Sequence, residues 1–506
     1  MTRFAGTIDR EAVKPPRSHC FHLELLLLLF SQCLVGGCGA DAHSSSAASG
    51  GAGSSGAGSG GVGASANLGG ATASGGSGVA GGAAGASGSA ASGGALAGSG
   101  GSSGGAGGMG GAAGSAAQGL VWPNDQSSAN SDPWILEHHD QITKMRPRVL
   151  VLDAFNKRTL AEARTAANKL AFSLDEGSRY HGYKDPTAPA FLDYQIEKIA
   201  DLTDKSGKIM ALSWPVTAQG DFDYGGIFTQ AFANLIGIPD PKNPQRSLTL
   251  CELFEQGRIN EVWTVGDGPV VFESKARSQV YDDQLQPIPG KFSNCGGNGC
   301  FDPGPSGQCA VTVRLVQLNT ERGPGCDTHG AGHGMESMRG TIPYYSKNAT
   351  RFFRFDMQAD YGVSFGSMYD CTFSFDGNPK CAHFLSPTHV INEAGLPTFD
   401  IQNWGIGCGN VHFAPNSTFH YDYENDNGVT AANSCENYGL GNGEKGADAL
   451  SDYTYETVRK LNEDPRFSDC GGGWQIYMRQ SFPGYHNQAK DVNGAPMKNW
   501  WPFLFY

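Results

Sequence analysis

The sequence predicts an α/β fold: a mostly parallel sheet with helices on both faces, plus a loop-rich, disulfide-stapled C-terminal half. Three observations carry that prediction. Short apolar runs ending in polar or acidic residues alternate with segments of helical spacing. An even set of cysteines stands in the part of the chain able to fold. Beyond about Gly340, aromatic, Gly and Asn residues displace the long periodic segments.

Residues 1–38 read as an export signal. Arg3, Arg10, Lys14 and Arg17 form a basic region, and Leu25 to Phe30 form an apolar core too short to span a bilayer. Leu34-Val35-Gly36-Gly37-Cys38 resembles a bacterial lipobox, with Cys38 lipidated and joined to a membrane, although Val35 and Glu24 depart from the pattern. Ordinary signal cleavage nearby is the alternative. The expected location is the cell surface, as a lipoprotein on the bacterial outer membrane or periplasmic face, and otherwise the secreted fraction. Residues 39–119 are almost only Gly, Ser and Ala. Such a segment has nothing to bury and reads as a disordered tether. Residues 120–506 then form the single α/β domain. The formal net charge of −13 argues against nucleic acid as partner, because phosphate binding needs a concentrated basic face.

Within that domain Pro147 to Asp153 reads as a first buried strand ending in a carboxylate. Thr159 to Leu174 has helical spacing and Ala-rich propensity. Phe191 to Leu202 reads as a second helix, and Lys208 to Trp214 as a second strand. Leu248 to Gln256 is a short helix, and Ile259 to Val265 a third strand. Ala310 to Leu318 is the fourth strand, followed by a polar turn and a helix. Tyr453 to Leu461 is a further short helix in the C-terminal half.

Cys251, Cys295, Cys300, Cys309, Cys326, Cys371, Cys381, Cys408, Cys435 and Cys470 suggest up to five disulfides behind an export signal. Cys295–Cys300 and Cys371–Cys381 are plausible local loops. These spacings do not form paired CxxC knuckles, which disfavours structural zinc.

The chemistry concentrates in Cys309 to Arg339. At 100° per residue, His329, His333 and Glu336 share one helix face. Two imidazoles and a carboxylate suit a divalent metal, zinc or iron, or acid–base work. Asp327 or Thr328 is expected to cap this helix. Gly330 stands where the HExxH metalloprotease motif has its general base, so that base is missing. Gly330, Gly332 and Gly334 each weaken a free helix by about 1 kcal/mol against Ala, which implies close packing or close approach of a ligand. The bland alternative is one buried, hydrogen-bonded histidine with the others facing a loop.

In open α/β sheets ligands bind beyond the carboxyl ends of the strands. Asp153, Trp214, Asp267, Glu273, Asn319, Glu321 and Arg322 would gather there with the histidine helix. Cys408 to Asn416 adds His412, either a third imidazole for the patch or a partner for a loop carbonyl. Trp474, Tyr485, Trp500 and Trp501 suit sugar stacking or core sealing. No Walker phosphate loop is present.

The order Asn319–Gly323, His329/His333/Glu336, Cys408–Asn416 and Asn499–Trp501 resembles a group of exported bacterial proteins to which no activity attaches. The EVW and FES segments at 261–274 share the likeness more weakly. The resemblance implies one domain from about 120 to 506 that ties these segments together, and it contributes no reaction.

These residues lead to a surface-tethered metal-dependent hydrolase acting on an extracellular peptide or glycan. His329, His333 and Glu336 would hold the metal, with His412, Glu321 or Arg322 assisting. The alternative is a non-catalytic surface module that binds glycan or protein through exposed aromatics.

Overall fold

The computed structural model describes residues 119–266, 274–319, 323–353, interrupted stretches between 383 and 441, and 449–506. The expected signal and tether, and Asp267, Glu273, Glu321, Arg322, Cys371 and Cys381, lie outside the described residues.

The architecture is mixed α/β around one six-stranded sheet. Its strands are β1 (Arg148–Asp153), β2 (Gln195–Asp201), β3 (Glu261–Gly266), β4 (Lys275–Tyr281), β5 (Pro287–Ser293) and β6 (Val313–Asn319). Their spatial order is β2-β1-β3-β6-β4-β5. The first four in that order run parallel, and β4 and β5 extend the sheet antiparallel. Every residue of β3 is buried, which is why EVWTVG reads as an unbroken run instead of an alternating one.

Four helices matter for the site: α1 (Leu160–Gly177), α2 (Leu250–Glu255), α3 (Pro324–Ser337) and α4 (Gly472–Gln480). Thr159 with Glu162, and Thr249 with Glu252, form reciprocal capping boxes that start α1 and α2. Helices α1, α3 and α4 contact one another, and α1 and α3 also contact β6. The sequence-expected helix over Tyr453 to Leu461 forms at Glu456–Asn462, after a short strand Ser451–Tyr453.

Two expected elements are corrected. Phe191 to Leu202 is not helical; it supplies edge strand β2. Val149 pairs with Ile196 and the next residue Leu150 pairs with Lys198, so Glu197 is an extra, bulged residue. The bulge breaks the alternation of side chains and leaves Ile196 and Ala200 at helix-like spacing. Lys208 to Trp214 is not a sheet strand either. Both edges of β1 are taken by β2 and β3, so this segment only crosses the strand's end through a Phe155–Met210 bridge, leaving Leu212 exposed.

Among the described residues four disulfides are present: Cys251–Cys309, Cys295–Cys300, Cys326–Cys470 and Cys408–Cys435. The expected local pair Cys295–Cys300 is among them. Such a set fits an extracellular or exported protein. Among the described residues no helix is long and apolar enough to cross a membrane. Trp474, Trp500 and Trp501 are buried in the same continuous core as the sheet residues Val151 and Trp263. They seal the interior and form no open stacking surface, and Tyr485 packs partly buried against the core, its ring 6.0 Å from that of Phe191.

Candidate metal centre

Helix α3 starts where the chain leaves β6. Pro324 opens its first turn after Gly323, which offers no side-chain cap. The expected caps do other work. Asp327 accepts from the backbone N–H of Asn319 at 2.7 Å, tying the helix to the strand end. Thr328 bonds back to the Pro324 carbonyl at 2.6 Å. The first amides are met from far along the chain by Asp469, whose carboxylate accepts from Gly325 at 3.1 Å and Cys326 at 3.4 Å.

The glycines of α3 divide by their surroundings. A Cβ on Gly332 would lie 2.5 Å from Val411 Cγ1, and one on Gly334 would lie 2.7 Å from Arg314 Nη2. These two are small because other groups come close. A Cβ on Gly330 would meet nothing nearer than Ser274 Oγ at 3.6 Å.

His329, His333 and His412 converge, with one ring nitrogen of each within 4.8 Å of the others. All three are half-buried. The rings of His329 and His412 stack at 4.9 Å, and His333 stands edge-on to both, at 5.0 and 4.8 Å. His412 is therefore the third imidazole of the patch.

Glu336 takes a different position from the expected one. Its Oε2 accepts from His333 Nδ1 at 3.1 Å, and its Oε1 accepts from the Val411 backbone N–H at 3.1 Å. Both oxygens are thus engaged behind the imidazoles, which makes Glu336 an orienting group for His333. The three residues whose ring nitrogens group closely enough to hold a metal are His329, His333 and His412, with Glu336 in hydrogen-bond contact with His333.

The loop carrying His412 is fixed at several points. Trp474 Nε1 donates to the Asn410 carbonyl at 3.0 Å, and Gln475 Nε2 to the Val411 carbonyl at 2.7 Å. Asn410 Oδ1 accepts from the His412 amide at 2.8 Å. The Tyr423 hydroxyl donates to the Val411 carbonyl as well. Its oxygen then accepts from His329 Nδ1 at 3.2 Å.

These partners bear on the proton positions. With both rings neutral, Nδ1 protons facing Tyr423 and Glu336 would leave the two Nε2 atoms with their lone pairs. Those two Nε2 atoms lie 3.2 Å apart. At that distance a second proton on either ring makes an N–H···N hydrogen bond, and a cation beside both nitrogens would take both lone pairs.

Buried charge surrounds the helix. Glu261 and Arg314 form an ion pair at 2.8 Å, both almost wholly out of solvent. Tyr194 and Trp263 also donate to Glu261, at 3.1 and 2.8 Å. Arg479, buried on α4, donates to the Thr328 carbonyl. Burial pushes its guanidinium down to about 10, against the raising influence of Tyr194 and Glu336.

Of the strand-end residues, Asp153 is buried at the end of β1, where burial raises its carboxyl to about 6 and Phe155 N–H opposes the rise. Among the described residues no hydrogen bond ties Asp153 to the histidines. Trp214 belongs to an aromatic cluster with Phe222 and Phe232. Sequence reasoning assigned no role to Tyr423 or Gln475. The only signal for Tyr423 was its place shortly after the His412 segment.

No protein-family model matches the chain, and no curated protein matches it.

Proposed function

We propose that this chain is an exported protein that holds one divalent metal ion, zinc or iron, on His329, His333 and His412. We propose further that it works as a metal-dependent hydrolase on an extracellular peptide or glycan. One observation carries the reading: ring nitrogens of His329, His333 and His412 lie within 4.8 Å of one another, with two Nε2 atoms 3.2 Å apart and the Nδ1 atoms of His329 and His333 facing Tyr423 and Glu336. Two imidazole nitrogens bonded tetrahedrally to one zinc ion at 2.0–2.1 Å stand about 3.3 Å apart.

A metal held by these three histidines would supply Lewis acidity to a water or substrate oxygen. The chain's own groups prepare the site. Glu336 and Tyr423 set the tautomers of His333 and His329, an arrangement that raises ligand basicity and orients the rings. Partial exposure of the three histidines gives a substrate access. Glu321 and Arg322, just before α3 in sequence, are assigned to substrate contact, and a lipidated Cys38 to tethering at the membrane. The non-catalytic module loses support, because Trp474, Trp500 and Trp501 are buried.

The test is metal analysis by mass spectrometry on protein prepared without chelators, beside a His329→Ala/His333→Ala variant. Near-stoichiometric zinc or iron, lost in a variant that still folds, is expected. Chelation should abolish cleavage of peptide or glycan substrates, and the metal should restore it. Protein free of metal under these conditions overturns the reading.

A further inference from the structure

A second group of metal-ligand atoms gathers at the start of α3. The Sγ atoms of Cys326 and Cys470 and a carboxylate oxygen of Asp469 all lie within 4.8 Å of one another. The sulfurs are joined, and all three residues are half-buried, so a reductant can reach them. By contrast Cys408 and Cys435 are fully buried.

Three features prepare this corner for a change of state. Asp469 is already oriented by the Gly325 and Cys326 amides. Cys470 has φ of 46°, a left-handed conformation that a side chain rarely adopts and that clusters at switch regions. Gly471 follows with φ of 64°, and a Cβ there would lie 2.2 Å from the Tyr423 ring. The turn therefore rests against the residue that orients His329.

We propose that Cys326, Cys470 and Asp469 are a second metal site, for a thiophilic divalent cation such as zinc. The site is closed while the sulfurs are joined and is opened by a dithiol reductant. The dithiol gives two electrons and two protons and becomes a disulfide, while the Cys326–Cys470 bond breaks into two thiols. The cation then displaces both thiol protons and takes two thiolates and the carboxylate as ligands. That set leaves one net negative charge around a divalent ion, which the positive N-terminal end of α3 offsets.

Cadmium tests this, because cadmium–thiolate bonds absorb in the ultraviolet and cadmium–imidazole bonds do not. The full chain is titrated with cadmium before and after mild anaerobic reduction. The expected result is an additional bound ion with a thiolate band only after reduction. The band should persist in His329→Ala/His333→Ala and vanish in Cys326→Ala/Cys470→Ala, so its fate is independent of the histidine site. Equal uptake in both redox states, or a band retained without these two cysteines, overturns the proposal. Should the cysteine variant fail to fold, Asp469→Asn keeps both sulfurs and is expected to weaken the reduced-state ion by at least about tenfold. An unchanged affinity there overturns it equally.

Discussion

Replacing Glu336 by Gln changes almost no volume and tests the proton arrangement directly. The carboxylate receives two donors, His333 Nδ1–H and Val411 N–H, each at 3.1 Å. An amide has one acceptor and one donor, so it satisfies one of these and opposes the other. If its carbonyl keeps Val411, its NH2 faces His333 Nδ1, and the imidazole escapes only by moving its proton to Nε2. That nitrogen then has no lone pair for a metal. Loss of an orienting carboxylate costs about 10–100-fold in metal affinity, or about 1.4–2.7 kcal/mol. If the amide turns the other way, two N–H groups collide at Val411, and the His412 loop loosens instead. The assay is competition with a chelating dye, with a thermal melt of the metal-free variant to show that it folds. An affinity for zinc within about twofold of the parent would refute the role given to Glu336 and the tautomers built on it.

Four further outcomes follow from the same geometry. Gly330→Ala, with open space around its new Cβ, should stabilise the protein by about 1 kcal/mol, whereas Gly332→Ala, 2.5 Å from Val411 Cγ1, should destabilise it by about 1–3 kcal/mol. Denaturant unfolding of both variants checks the pair, and equal effects would contradict the packing argument. Burial raises Asp153 to about 6, so the folded state binds the extra proton and stability falls as pH rises from about 4 to about 6. Asp153→Asn should therefore gain on the parent by up to about 3 kcal/mol more at neutral pH than at pH about 4, and a pH-independent difference would exclude that penalty. His139 behaves in the opposite sense: burial lowers it to about 4, so the unfolded chain takes up the proton first and stability is lost as pH falls from about 6.5 to about 4. His139→Gln should remove that acid-side slope, as read from unfolding at several pH values. Arg314→Met leaves Glu261 charged and buried and should cost about 3–5 kcal/mol, while the double change Arg314→Met/Glu261→Leu should cost less.

What could be read from the sequence was what local chemistry settles. Val149 to Leu152 is a continuous apolar run because β1 lies between two neighbours, and Thr159 announces α1 through its capping box. The histidine helix was visible because His329 and His333 are four residues apart on a strand-following segment. What the sequence left open depends on contacts between distant segments. Glu336 reads as a ligand from helical spacing, and only the approach of Val411 shows its second oxygen to be occupied. That His412 stacks on the His329 ring could not be read from the sequence. The β4–β5 hairpin escaped because its residues Lys275, Arg277 and Gln279 are polar yet buried, opposite to the usual strand pattern. Strand β2 was hidden by a bulge, which no composition signal marks.

The third imidazole arrives on a loop that Trp474, Gln475 and Tyr423 hold in place. None of these groups is near α3 in the chain, so a growing or unfolded polypeptide offers at most a weak pair of histidines. Tight uptake of an ion at the proposed centre would wait until α4 has docked and the loop has closed over the helix. An ion held as proposed would thus report a long-range step of folding, and for a chain exported as proposed that step would follow the crossing of the membrane. On that reading the composition of the external medium, more than that of the cytosol, would decide which metal fills the site.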